Sequence, residues 1–449
     1  MKEKDRFILD IRRLGINGEG IGYYNKLAIF VKDAIPGEGV DIEIVKSLPN
    51  MAYGKVLEYK KKSPYRLTPS CPHYEQCGAC QVMHIDNQKM GEFKRDAIIE
   101  AINRYTELNP KSFEIKKTLI MDEPFGYRNK ASLHIRKTNG KNVTSMIEEG
   151  TNRTFEVLDC QIHDPLINEV NKKIIDIANK LDIKSFGDET YSWRYLITRV
   201  SLKNRTTQVC LVVKEFNEEI KSFIAEISKQ RICDSLYVNI NGDMKTHEIF
   251  GNETIHCSGA KSIIEQIGNY KFNIYPNTFF QLNTKQTEVL YEMVKKAAKL
   301  THQETVLDSF CGVGTISTYL SNVSKKVIGV EYNKESIISA KENLKLNKRK
   351  NIEYYQGDVN KLLPEFKNKD IKFDVLVFDP PRTGLGENII NTILSQDIKR
   401  IVYVSCNPST LAKDLNLLSQ KYNVKYIQPV DMFPQTSLVE SVVLLEIKK

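Results

Sequence analysis

The sequence predicts an α/β protein: a doubly wound, Rossmann-like domain in the last third, preceded by a small β-barrel and a central α+β domain. Three observations predict it. From Glu304 onward, apolar β-rich runs alternate with helical patterns, and the runs end in polar or acidic residues. Residues 7–58 hold short β-rich runs broken by glycine-rich turns. Between residues 127 and 258 strand and helix patterns mix without a nucleotide-binding glycine fingerprint. The expected domains are 1–60, 61–270 and 271–449, with residues 88–118 packing on the last of these.

The 449 residues suit this division at about 150 residues per domain. Apolar content of 41% and charged content of 27% are those of an ordinary globular protein. No run reaches the roughly 18 apolar residues of a membrane span. No apolar segment follows Met1–Arg6, so a secretory signal is not expected, and a cytoplasmic, membrane-free monomer is. A net charge of +9 is compatible with a nucleic-acid partner. Nine cysteines without an export signal argue against a disulfide framework and leave metal binding, catalysis or packing.

In chain order, Phe7–Ile11, Ala28–Val31, Val40–Val45 and Lys55–Tyr59 read as strands, with Gly15, Gly18, Gly20, Gly22 and Pro36–Gly39 as turns. That spacing suggests a barrel of the oligonucleotide-binding kind. A basic linker follows, and then Cys71, Cys77 and Cys80, a compact chelating loop in which Gly78 permits a tight turn. Cys160 is the best candidate for a fourth ligand. Four thiolates suit an iron–sulfur cluster or zinc, and one C-x-x-C pair with two isolated cysteines tilts toward iron–sulfur. Residues 88–118 carry a helical pattern. In the central domain, Asn171–Leu181 and Glu218–Lys229 read as helices, and Leu133–Arg136, Arg199–Leu202, Thr207–Val213 and Ser235–Asn239 as strands. Arg128, Lys130, Arg136, Arg194 and Arg199 either line an RNA groove or are scattered over the surface.

The last domain is more regular. The strand Thr305–Asp308 runs into the loop Ser309–Thr315, which contains Phe310, Gly312 and Gly314, and then into a helix over Ile316–Ser321. Later strands end at Glu331, at Asp358, at Asp379-Pro380-Pro381-Arg382 and at Cys406. Ser317 stands where a dinucleotide fingerprint needs glycine or alanine. Carboxylates beside a glycine loop repel pyrophosphate but tolerate the cationic sulfonium of S-adenosylmethionine. Glu331 is then placed for the ribose hydroxyls and Asp358 for the adenine amino group.

Cys406 ends an apolar strand where a helix begins, a position that exposes a nucleophile to the ligand crevice and favours thiolate. The Asp379–Arg382 element is similar to the Asp/Asn-Pro-Pro-Tyr element of amino methyltransferases, but arginine replaces the aromatic residue. That argues against a nitrogen target. A cysteine nearby suggests carbon 5 of a pyrimidine, activated by thiolate addition at carbon 6. The proton on carbon 5 must then leave, and Glu440 is the acidic residue nominated to take it.

On these motifs, with Asn277–Asn283 added, the chain resembles the RNA uracil-5 methyltransferase family, which makes 5-methyluridine in 23S ribosomal RNA and in tRNA. The resemblance runs from end to end and includes a TRAM-type barrel. It implies S-adenosylmethionine as cofactor, contacted by Gln281, Phe310, Glu331, Asp358 and Asp379, with Gly312, Gly314 and Thr315 in the donor loop. It implies Cys406 as nucleophile, Glu440 as base and a four-iron four-sulfur cluster on Cys71, Cys77, Cys80 and Cys160. The cysteines point to the ribosomal RNA branch, with tRNA as the alternative. Phe279 or Phe280 would offer a face to the extruded base. One position departs: Leu438 stands where the family usually has histidine. The competing readings are a non-catalytic RNA-binding protein and a carbon-5 cytosine enzyme.

Overall fold

Alternating apolar residues in the first sixty positions close a five-stranded barrel. Its strands are β1 (Arg6–Leu14), β2 (Gly20–Tyr24), β3 (Leu27–Val31), β4 (Gly39–Leu48) and β5 (Met51–Lys61), neighbours in the order β1-β2-β3-β5-β4. Leu9, Ile11, Ile29, Val31, Val40, Ile42 and Ile44 fill it, each worth about 1.5–3 kcal/mol of apolar burial. The sequence reading placed turns at Gly20 and Gly22, but both lie inside β2. A Cβ there would sit 2.5 Å from the Ala34 carbonyl oxygen and 2.6 Å from that of Asp10 respectively. These glycines allow close approach of barrel backbones, whereas Gly18, at φ +89°, does turn the chain.

The computed structural model describes residues 1–449 except Met244, Lys245 and His247. By internal packing the chain divides into two units: residues 1–122, 289–310 and 358–449, and residues 123–288 and 311–357.

In the first unit, Thr305–Ser309, Val375–Phe378 and Arg400–Ser405 pair in parallel. The sheet then changes direction. Glu440–Ile447 runs antiparallel to Arg400–Ser405, and Tyr422–Val430 antiparallel to Glu440–Ile447. Glu114–Ile115 adds a short parallel strand at the edge. The helical pattern read over 88–118 is a helix only over Asn87–Tyr105, capped by Asp86, whose carboxylate accepts from the Lys89 amide at 3.0 Å. This helix packs against Pro408–Leu418.

The second unit holds a seven-stranded sheet in the order Glu253–Gly259, Ser235–Ile240, Thr207–Val213, Trp193–Val200, Lys130–Thr138, Lys141–Ile147 and Thr154–Glu156. Helices Pro165–Lys180 and Glu218–Lys229 bury Ile174, Ile177, Phe223 and Ile227 with Trp193 in its core. Two of the arginines read as groove or surface residues are structural. Arg199 is 2% exposed and donates to the Thr278 carbonyl at 3.2 Å; Arg194 is 8% exposed and donates to the Asn241 and Asp243 carbonyls. Each guanidinium donates to backbone carbonyls of its own unit. The same unit holds the parallel pair Lys326–Glu331 and Ile352–Gln356. Asn343, in the helix Lys334–Leu346, accepts from the Asn273 amide at 2.8 Å and donates to the Val313 carbonyl at 3.1 Å, tying a hairpin to the glycine loop.

Candidate active site

The reversal of strand direction in the first unit builds the candidate site. Ser405 and Ser441 are partners across antiparallel strands. Cys406 follows Ser405 and Glu440 precedes Ser441, so the register brings both to the same end of this strand pair, close enough for Glu440 to act on the Cys406 thiol. Asp379 follows Phe378, the last residue of a strand whose register pairs Phe378 with Tyr403. Two strand ends and one strand start therefore present a thiol and two carboxyls at one end of the sheet.

Two loops carry these groups, and side chains fasten them together. Asn407 caps Pro408–Leu418 by accepting from the Ser409 amide at 3.0 Å, and its Nδ2 donates to the Arg382 carbonyl at 3.1 Å. Thr410 donates to the same carbonyl at 3.2 Å. Below them, the buried Asp414 accepts from the Tyr403 hydroxyl at 2.6 Å and from the Leu385 amide at 2.8 Å. The chain passes so close that a Cβ on Gly384, at φ +82°, would lie 2.6 Å from Asp414 Oδ2.

The charges in this cluster are mutually dependent. Glu440 is 6% exposed. Burial pushes its carboxyl up to about 8, Asp379 adds to the shift and Arg382 opposes it. Burial alone raises Asp379 to about 7. The half-buried Cys406 thiol rises to about 11, first through burial and then through Glu440 and Asp379, again opposed by Arg382. Three acids beside one cation cannot all ionise near neutrality, so protons move within the group as charge changes. A thiol and a carboxyl at neighbouring strand ends are the two groups that nucleophilic addition followed by proton abstraction requires.

The second unit holds the glycine loop. Glu331 Oε2 accepts from the Gly312 amide at 3.1 Å and Oε1 from the Asn333 amide at 2.7 Å, which fixes this carboxylate at the strand end. Gly312 has φ +53° with open space where a Cβ would be, while Gly314, at φ +80°, precedes the helix Thr315–Ser321. An oriented carboxylate beside a loop with room for a ligand fits an adenosyl group with a cationic sulfonium and no phosphates. Gln281 is half-buried in this unit, its backbone carbonyl accepting from Asn129 Nδ2 at 2.9 Å. Phe310, at φ +64°, and Asp358 belong to the first unit. Asp358 caps Val359–Asn368 through the Asn360 amide at 2.9 Å, a bond the sequence reading did not assign to it. Phe280 is 3% exposed and packs on Phe272, so of the two phenylalanines only Phe279, 68% exposed, offers a free face.

The cysteines are placed as follows. Cys71, Cys77 and Cys80 lie in the first unit and Cys160 in the second, all half-buried. Gly78 makes the expected tight turn at φ +66°, ending the helix Tyr74–Cys77. Among the described residues, no three His, Cys, Asp or Glu side chains are grouped so as to hold a metal ion. No step of the chemistry below runs through a metal centre.

Sequence reasoning noted Arg382 only as a departure from an aromatic residue and missed the Tyr403–Asp414 support altogether. An acidic residue on the otherwise apolar buried face of its helix was the available signal for Asp414.

A family model described as tRNA (Uracil-5-)-methyltransferase matches residues 94–448, and one for the TRAM domain matches residues 7–57. An uncharacterized RNA methyltransferase of Listeria monocytogenes is 38% identical, with 100% of this chain and 98% of the relative covered. Another, from Halalkalibacterium halodurans, is 39% identical over 99% and 97%. The crystal structure of Pyrococcus abyssi tRNA (uracil-54, C5)-methyltransferase in complex with S-adenosyl-L-homocysteine superposes with a TM-score of 0.78 at 24% identity, covering 98% of this chain and 100% of that one. Among the described residues, no helix is long and apolar enough to cross a membrane. With its closed N-terminal TRAM barrel and its C-terminal methyltransferase fold, the chain belongs to the family of S-adenosylmethionine-dependent RNA uracil-5-methyltransferases.

Proposed function

We propose that the protein methylates carbon 5 of a uridine in 23S ribosomal RNA, with Cys406 as nucleophile and Glu440 as base. The observation that carries this reading is the meeting of Cys406 and Glu440 at the end of the Ser405–Ser441 strand pair. Cys406 sulfur bonds to carbon 6 of the extruded uracil, the carbon 5–carbon 6 double bond opens, and negative charge passes to the ring as an enolate. S-adenosylmethionine supplies the methyl group to carbon 5 and leaves as S-adenosylhomocysteine. Glu440 then takes the proton from carbon 5, the carbon–sulfur bond breaks, the double bond reforms and the thiolate is regenerated.

Arg382 has a defined part in this reading. It is the cation that favours the ionised forms of both Cys406 and Glu440. Leu438, where the family usually has histidine, is half-buried and offers no ionisable group, so burial first, and then Asp379 and Arg382, tune Glu440. Nucleophile and base lie on one chain, which supports action as a monomer.

The choice of 23S ribosomal RNA rests on the combination of barrel and four cysteines. Their thiolate-rich set is the support for a four-iron four-sulfur cluster, checked by colour and iron content after anaerobic purification. A uridine in tRNA is the second reading, favoured by the names of the family model and of the archaeal structure. Mapping 5-methyluridine in ribosomal and transfer RNA from a strain lacking the gene, beside its parent, separates the two. For the chemistry, RNA carrying 5-fluorouridine, incubated with protein and methyl donor, should form a covalent complex that Cys406→Ala cannot form. Equal behaviour of the two proteins would sink the nucleophile assignment.

A further inference from the structure

We infer that the buried ion pair between Lys94 and Asp431 is a positioning device for Glu440, holding the chain segment that delivers the base to its rung. This rests on the proposed role of Glu440. Lys94 lies on the helix Asn87–Tyr105, 337 positions from Asp431, and the two side chains are 0% and 2% exposed. Lys94 Nζ also donates to the Phe433 carbonyl at 3.2 Å. Asp431 directly follows Val430, which is the partner of Glu440 across the terminal hairpin. The pair therefore grips the connection at the residue beside the base's own rung.

Two further bonds hold the same connection from other parts of the first unit. The Val82 amide donates to the Gln435 carbonyl at 3.2 Å, and the Ser437 hydroxyl donates to the Ile16 carbonyl at 2.8 Å. Helix, cysteine segment and barrel turn thus converge on residues 431–439. Burial works against both charges, lowering Lys94 and raising Asp431 in pKa. Well-packed apolar residues would serve stability as well as such a pair does, so fixing one arrangement is the better physical reason for it. Lys94 touches no reacting group; it acts through the backbone that carries Glu440.

If the pair positions the base, its loss should impair the second half of the reaction and spare the first. The test compares wild type with Lys94→Met and with the double variant Lys94→Met/Asp431→Leu, which leaves no buried charge unpaired. With 5-fluorouridine RNA, a probe of Cys406 attack, both variants should form the covalent complex to within about twofold of wild type. With ordinary uridine RNA they should accumulate methylated covalent complex and release product at least about tenfold more slowly. Product release at the wild-type rate by the double variant would overturn the inference. So would loss of both activities in parallel, which marks a merely structural role. Wild-type protein forming no 5-fluorouridine complex would instead sink the proposed function itself.

Discussion

Asn407 joins the two loops that bear the candidate site's charges, its Nδ2 donating to the Arg382 carbonyl at 3.1 Å while its Oδ1 caps the helix that follows Cys406. One side chain thus sets both the start of the Pro408–Leu418 helix and the path of the segment carrying Arg382. Asn407→Ala should lower stability by about 1 kcal/mol, the usual value of such a cap. It should also slow attack by Cys406, because Arg382 is the group that favours its thiolate. Stopped-flow formation of the 5-fluorouridine complex checks this. A variant that loses stability but attacks at the wild-type rate would confine Asn407 to capping.

Glu440→Gln removes the proposed base and keeps its volume. Turnover should fall by about 10²- to 10⁴-fold, the usual contribution of a general base. Methyl transfer precedes proton abstraction, so the variant should stall with ordinary uridine RNA covalently attached and already methylated. Denaturing gels and mass spectrometry of the adduct report this directly. Unmethylated adduct would place the defect earlier and count against the assigned order.

The same carboxyl makes stability depend on pH. Its pKa is raised from 4.5 to about 8, so between those values the folded protein binds more protons than the unfolded chain. Stability must then fall as pH rises through this window. Glu440→Gln cannot lose it, so the variant's melting temperature should gain on wild type steadily from pH 5 to about pH 9, by about 2 °C or more for each kcal/mol recovered. A constant difference across that range would mean that Glu440 titrates normally.

The sequence made some levels of this structure readable and hid others. The alternating strands and helices of the last third were visible because fully buried strands must be apolar and their ends must be polar. Cys406 and Asp379 were legible for the same reason, as polar residues terminating such runs. The antiparallel entry of Glu440–Ile447 was not, because an apolar run carries no sign of its direction. That direction is what brings Glu440 to Cys406. Gly20 and Gly22 misled because a glycine used for close backbone approach looks like one used for a turn. Lys94 and Asp431 were out of reach: 337 residues separate them, and no local pattern predicts a buried pair over that distance. Arg194 and Arg199 show the converse, basic residues buried within the sheet domain and donating to backbone carbonyls there.

The two glycines of the donor loop should separate folding from ligand binding. Both have positive φ, so an alanine at either position costs about 1–2 kcal/mol in backbone strain. At Gly312 nothing lies within 4 Å of the added methyl, and strain is the whole structural cost. At Gly314 the methyl would sit 2.2 Å from the Tyr354 hydroxyl and 2.8 Å from the ring carbon bearing it, with Ala340 Cβ at 3.3 Å behind. Those atoms belong to a strand and a helix that cannot both retreat. Gly314→Ala should therefore lose several degrees more in melting temperature than Gly312→Ala. Gly312→Ala should stay folded but bind S-adenosylhomocysteine more weakly, because the open space beside Gly312 is where the proposed ligand approaches. Calorimetric titration and thermal melts of both variants decide it. Equal melting temperatures would refute the steric reading of Gly314, and undiminished binding by Gly312→Ala would move the ligand away from this loop.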